Sequence, residues 1–123
     1  AAGQAYRLYQ AAFDRVPDKD GLGFWIAQLD NGMRLGHVAL HFVVSHEFKL
    51  LYGAAPNDAE FVDLLYDNVL HRKGDQAGID HWMNALAVGV RREDILAAFS
   101  ESDENQSALA AIIGNGFVYN PYG

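Results

Sequence analysis

The chain contains no cysteine. It therefore has no disulfide framework, no thiol nucleophile and no zinc–thiolate site. That absence fits either the cytosol or an exported bacterial protein. Basic residues are scarce: nine Lys and Arg stand against 16 Asp and Glu, and the net charge is −7. Binding a nucleic-acid backbone needs a basic face, so nucleic acid is excluded as a partner. Long apolar runs are also lacking. No stretch reaches the roughly 18 residues of a membrane-crossing helix, so no membrane insertion is expected. The opening AAGQAYRLYQ has no basic stretch leading into an apolar core and does not read as a secretory leader. No segment alternates apolar and polar residues with β-branched enrichment, so no sheet is expected.

What is present is ordinary globular composition. Half of the 123 residues are hydrophobic, enough to bury a core in one domain. The chain also repeats itself. Sliding it by 57 positions sets Leu8-Tyr9 on Leu65-Tyr66, Arg15 on Arg72, Asp18 on Asp75, Gly21 on Gly78 and Trp25 on Trp82. Further along, Leu29 meets Leu86, Gly32 Gly89, Arg34 Arg91, Phe42 Phe99, Ser45 Ser102 and Glu47 Glu104. Both tryptophans of the chain fall on this register, which chance would hardly arrange.

Each copy reads as helices. Ala5, Tyr9, Ala12, Phe13 and Val16 recur at helical spacing, followed by Leu22, Trp25, Ile26 and Leu29, then Leu35, Val38, Ala39 and Phe42. Copy two repeats this with Phe61, Leu64, Leu65 and Val69, then Ile79, Trp82, Met83 and Leu86, then Ile95, Ala98 and Phe99. A short fourth helix follows each: Phe48-Leu51-Tyr52 and Leu109-Ile112-Ile113. Pro17 halts the first helix, and Asp18, like Asp75, can cap the second. Gly32 and Gly89 stand where a left-handed residue ends a helix. Gly53-Ala54-Ala55-Pro56 is the linker, and Asn57 with Glu60 makes a capping box for the next helix. These signals predict an all-α fold: two tandem copies of a three-to-four-helix repeat, about 4–52 and 61–109, packed as one compact domain over 1–123. Trp25, Phe42, Trp82 and Phe99 are expected at its centre. The tail 114–123 is expected to be irregular.

Several constellations invite chemistry and fail. An EF-hand with Gly21 at its sixth position has Asp18 and Asp20 in place, but Val16 and Ala27 where carboxylates are required. Copy two has Ala77 in place of Asp20. His37 and His41 stand four apart with His46 close behind, yet copy two has Asp94, Ala98 and Asp103 there. They are read as surface or partly buried histidines, and no metal or cofactor is assigned. Ser45, Ser100, Ser102 and Ser107 lie in no nucleophile elbow, and Gly21-Leu22-Gly23 follows no strand that could mount a phosphate loop. No catalytic residue is nominated, and the chain is not read as an enzyme. Trp25 and Trp82 could stack on sugars, but their place on an apolar stripe favours packing. Tyr52, Tyr119 and Tyr122 are expected to be exposed.

The repeated charges Arg15/Arg72 and Glu47/Glu104 stand out. A fork-shaped guanidinium can tie two helix ends together through a carboxylate. Arg15 is expected beside Glu47, and Arg72 beside Glu104, as a structural clamp. Because an exposed pair contributes little, both pairs are expected to be buried.

Tyr9…Phe13-Asp14-Arg15-Val16-Pro17-Asp18…Gly21…Trp25…Leu29…Gly32, closing with Phe42…Ser45…Glu47-Phe48, resembles a bacterial helical domain family of unknown function. Copy two is similar through Tyr66…Leu70-His71-Arg72…Asp75…Gly78…Trp82…Phe99-Ser100-Glu101-Ser102…Glu104-Asn105. Asp14 and His71 replace the family's usual Gly, Lys73-Gly74 replaces a residue–Pro pair, and Asn105 replaces the final Phe. The resemblance implies a module of large exported proteins that accompanies calcium-binding repeats, adhesins or surface layers. It implies a secreted or cell-surface location, and a cell-surface glycan or another protein as partner. The expected function is a non-catalytic binding or assembly module. The alternative is an accessory domain of a secreted enzyme, with no catalytic residues of its own. The sequence names neither the ligand nor the oligomeric state.

Overall fold

The computed structural model describes residues 1–122; Gly123, the end of the expected irregular tail, lies outside them. The first helix, α1 (Ala2–Phe13), buries Ala5, Leu8, Tyr9 and Ala12 on one face and stops when Asp14 turns left-handed at φ 49°. α2 (Lys19–Asp30) begins at Asp18, whose carboxylate accepts the Gly21 N–H. It ends in a Schellman turn: Met33 N–H bonds Gln28 O, Gly32 N–H bonds Leu29 O, and Gly32 sits at φ 98°. α3 (Leu35–Val43) and α4 (His46–Tyr52) follow, the latter capped by the Ser45 hydroxyl.

The second half restarts at Asn57, where a full capping box opens α5 (Asp58–Leu65). α5 runs on into a π-helical segment, Tyr66–Leu70, which ends when His71 turns left-handed at φ 54°. α6 (Gln76–Ala87), α7 (Arg92–Ser100) and α8 (Asp103–Gly114) complete the chain. Helix starts at Lys19 and Gln76, Leu35 and Arg92, and His46 and Asp103 all stand at the sequence interval of the internal match. Gly89 reproduces the turn of Gly32, also at φ 98°. Among the described residues there is no strand, and no helix is long and apolar enough to cross a membrane.

The two halves share one core. α3 packs against α7, and α1 packs against both. Leu8, Val38, Phe61, Leu65, Ile95 and Leu96 are fully enclosed at the centre, with Phe42 and Phe99 beside them. Trp25 and Trp82, expected at the centre, instead pack half-buried at its edge. They sit on α2 and α6, outside the α1–α3–α7 contacts, and reach the core edge-on to Phe42 and beside Phe99. Tyr52 also departs from expectation. It is buried, stacked on Phe48 at 4.0 Å, because α4 folds back beneath α1 and the Tyr52 hydroxyl approaches Ala11 O at 3.5 Å.

Two of the departures from the expected motif have local explanations. Asp14 and His71 both adopt the left-handed geometry that glycine ordinarily supplies, and their side chains meet each other at 3.3 Å. Asn105 is buried where copy one has Phe48, and its Nδ2 donates to Ser100 O at 2.8 Å. A buried amide is tolerated there because it is hydrogen-bonded.

Beyond α8, Phe117 and Tyr119 pack against Ala5, Tyr6, Leu22 and Ile26. Asn120 N–H donates to Lys19 O at 3.0 Å, and Asn120 Nδ2 donates to Asp20 at 2.7 Å. The backbone passes so close to α2 that a Cβ at Gly23 would lie 1.7 Å from Asn120 O. The tail is thus irregular but anchored, and Tyr119 is partly covered while Tyr122 stays exposed.

Candidate functional site

The left-handed turn after α1 aims Arg15 back across the helix end toward the start of α4. Arg15 Nε donates to Glu47 Oε2 at 2.6 Å and Nη2 to Oε1 at 2.9 Å. A third donor, Nη1, reaches Val16 O, and the guanidinium lies 5.2 Å from the Tyr9 ring centre. Copy two builds the same arrangement. Arg72 donates twice to Glu104 at 2.8 Å, Nη1 reaches Lys73 O, and the guanidinium lies 5.3 Å from the Tyr66 ring. Glu47 and Glu104 occupy the first turns of α4 and α8, where the helix dipole favours a negative charge.

The pairs are not buried as expected. Side-chain exposures are 40% and 44% for Arg15 and Glu47, and 44% and 47% for Arg72 and Glu104. The Arg15 guanidinium lies against the Tyr9 and Phe13 rings and that of Arg72 against Tyr66, yet both arginines stay substantially open to solvent. The bidentate bonds still bias protonation. They hold the Glu47 and Glu104 carboxyls below the usual range and raise Arg15 and Arg72.

Copy one adds a second layer. The Tyr9 hydroxyl donates to Asp18 in a short hydrogen bond, and Arg15 Nη2 donates to the same hydroxyl at 3.2 Å. Burial first, then the bond to Asp18, pushes Tyr9 up to about 12, while Asp18 is lowered chiefly by the same bond. In copy two, Tyr66 turns toward Gly78, where a Cβ would meet its hydroxyl at 2.3 Å.

The two tryptophans differ in what covers them. In copy one, His41 lies 5.4 Å from Trp25, and Phe13 lies 5.0 Å from Phe42. The corresponding residues of copy two are Ala98 and Leu70, which are smaller. An opening of about 180 Å³ remains there, walled by Tyr66, Trp82 and Phe99, with Arg72, Glu104 and Ser102 at its rim.

The other sequence candidates sit as follows. Asp18 and Asp75 cap α2 and α6 through Gly21 N–H and Gly78 N–H. His37 and His41 stack at 5.2 Å on the exposed side of α3, and His46 lies exposed at the start of α4. Among the described residues, no three His, Asp or Glu side chains are grouped to hold a metal ion.

Two cross-links escaped sequence reasoning because neither repeats. Arg7 on α1 makes a bidentate pair with Glu101 after α7, at 3.0 and 2.8 Å, with side chains only 14% and 24% exposed. Copy two has Leu64 at the place of Arg7. Arg92 reaches Pro56 O and Asp58 at 3.0 and 2.8 Å and lies 4.8 Å from the Phe61 ring, fastening the linker.

A family model described as "Domain of unknown function (DUF4214)" matches residues 4–50 and 39–109. Comparison with curated proteins and with solved structures gave no match.

Proposed function

The chain belongs to this family of unknown function, and from that premise we propose a non-catalytic binding module of an exported bacterial protein, docking to cell-surface polysaccharide. The observation that carries the reading is the opening beside Trp82. A sugar ring has an apolar C–H face that suits an indole, and hydroxyls that suit a charged pair. Arg72 uses three of its five N–H groups on Glu104 and Lys73 O, leaving two to donate. Glu104 retains lone pairs to accept. A carboxylate held ionised by its arginine is a poor proton donor at neutral pH, which supports binding rather than acid catalysis.

The test is a glycan array with the purified domain, followed by titration of any ligand found. Two variants probe the opening. Trp82→Ala removes the platform, and Ala98→His introduces the side chain that covers Trp25 in copy one. Ala98 is exposed on α7, so the second variant keeps the fold. Loss of binding in both, with Trp25→Ala still binding, is the expected result. No glycan bound by the parent domain, or binding unaffected by Ala98→His, would overturn the reading.

A further inference from the structure

The internal match places two grooves in correspondence, one filled and one open. In copy one, the groove between α1 and α2 is floored by Leu22, and tail residues Phe117 and Tyr119 fill it. Phe117 lies 4.7 Å from Tyr6. In copy two, the groove between α5 and α6 is floored by Ile79 and Leu64, the residues that stand where Leu22 and Arg7 stand in copy one. It holds an open hollow of about 340 Å³. α6 has no fully buried residue, whereas α2 buries Leu22, Gly23 and Ile26.

The rim chemistry has changed as well. Asp63 and Asp67 stand where copy one has Tyr6 and Gln10. Neither makes an ion pair among the described residues. Arg72, the nearest guanidinium, is already committed to Glu104. The α5 side of the groove therefore carries two carboxylates about one turn apart, and although Lys73 also lines the hollow it forms no ion pair with either of them. The chain's own tail does not suit it. That tail has no basic residue, and Asp80 stands where Gly23 lets the tail backbone approach.

We propose that the α5–α6 groove docks an extended segment of another protein, one that presents an aromatic side chain beside a Lys or Arg. The aromatic ring takes the place over Ile79 and Leu64 that Phe117 takes in copy one. The cation meets Asp63 and Asp67. This goes beyond the saccharide reading; the two hollows have only Arg72 in common, and the variants chosen for one leave the other's remaining walls untouched, so either can fail without the other.

The probe is the blocked hexapeptide Lys-Phe-Val-Tyr-Asn-Pro, titrated into the ¹⁵N-labelled domain. Amide shifts are expected at Asp63, Leu64, Asp67, Gly74 and Ile79. Replacing Phe by Ala in the peptide should weaken binding about tenfold or more, the scale of a buried aromatic ring. Asp63→Asn with Asp67→Asn, both exposed and safe for folding, should weaken it about threefold to fivefold at low salt and abolish its salt dependence. No shifts at about 1 mM peptide, where a site of about 1 mM Kd is already half filled, would overturn the proposal. So would shifts confined to Lys19–Ile26, or binding indifferent to both charge variants.

Discussion

The Arg15–Glu47 pair gives a sharp energetic test because its geometry and its exposure pull in opposite directions. Two donors at 2.6 and 2.9 Å describe an ideal fork, and a buried fork broken on one side costs about 3–5 kcal/mol. The side chains, however, are 40% and 44% exposed. Solvent screens the charges, and exposed pairs couple by roughly 0.2–1 kcal/mol. We place the coupling near the top of that range, at about 1 kcal/mol, because the contact is bidentate. Arg15→Met keeps the aliphatic stem but also removes the cation over Tyr9, worth about 0.5–1 kcal/mol at an exposed site. The single variant should therefore cost about 1.5–2 kcal/mol. Glu47→Gln should cost about 1.3–2 kcal/mol, the same coupling plus the charge lost at the α4 N-terminus. The assay is a double-mutant cycle by urea denaturation, repeated in high salt. Salt should shrink the coupling. The sign with pH follows from Glu47, whose carboxyl is lowered in the folded state. Its contribution is complete above the unfolded value of about 4.3 and is lost as pH falls through the lower folded value. A coupling above about 3 kcal/mol would refute the exposed reading, and strict additivity would refute the clamp itself.

Other outcomes follow from the same contacts. Arg7→Met should cost more than Arg15→Met, about 2–3 kcal/mol by denaturation, because its pair with Glu101 is better shielded. Gly23→Ala should lift the tail from α2, seen as faster amide exchange at Asn120 and a stability loss of about 1–3 kcal/mol. Tyr9 keeps its proton up to about 12, so stability should be full below about pH 10 and fall as pH rises toward 12. Tyr52 and Tyr66 shift the same way, so Tyr9→Phe should remove only part of that alkaline loss in a pH series of unfolding curves. Leu96→Ala, at a site with no exposure, should cost about 2–5 kcal/mol.

Much of this molecule is local, and local features are legible in a sequence. The caps at Asp18 and Asp75, the turns at Gly32 and Gly89, and the Asn57–Glu60 box are each settled within a few residues. The partners Glu47 and Glu104 were legible too, because the same residue types recur at one interval. What the sequence could not contain is coverage. An apolar stripe shows which face of α2 packs, but not how deep the face lies, so the stripe alone does not separate a central Trp25 or Trp82 from one at the edge. Recurrence likewise does not imply burial, because a guanidinium fork closes as well over a tyrosine ring at the surface. Nothing within α4 except Phe48, one turn away, covers Tyr52, and only the return of α4 beneath α1 encloses it. The largest tertiary decision is the asymmetry of the halves. The tail anchors on α2, whose Gly23 admits its backbone, while α6 carries Asp80 there and its groove stays open. That choice depends on close approach between residues about a hundred positions apart, Asn120 meeting Asp20, and such contacts are set by packing rather than by any local pattern.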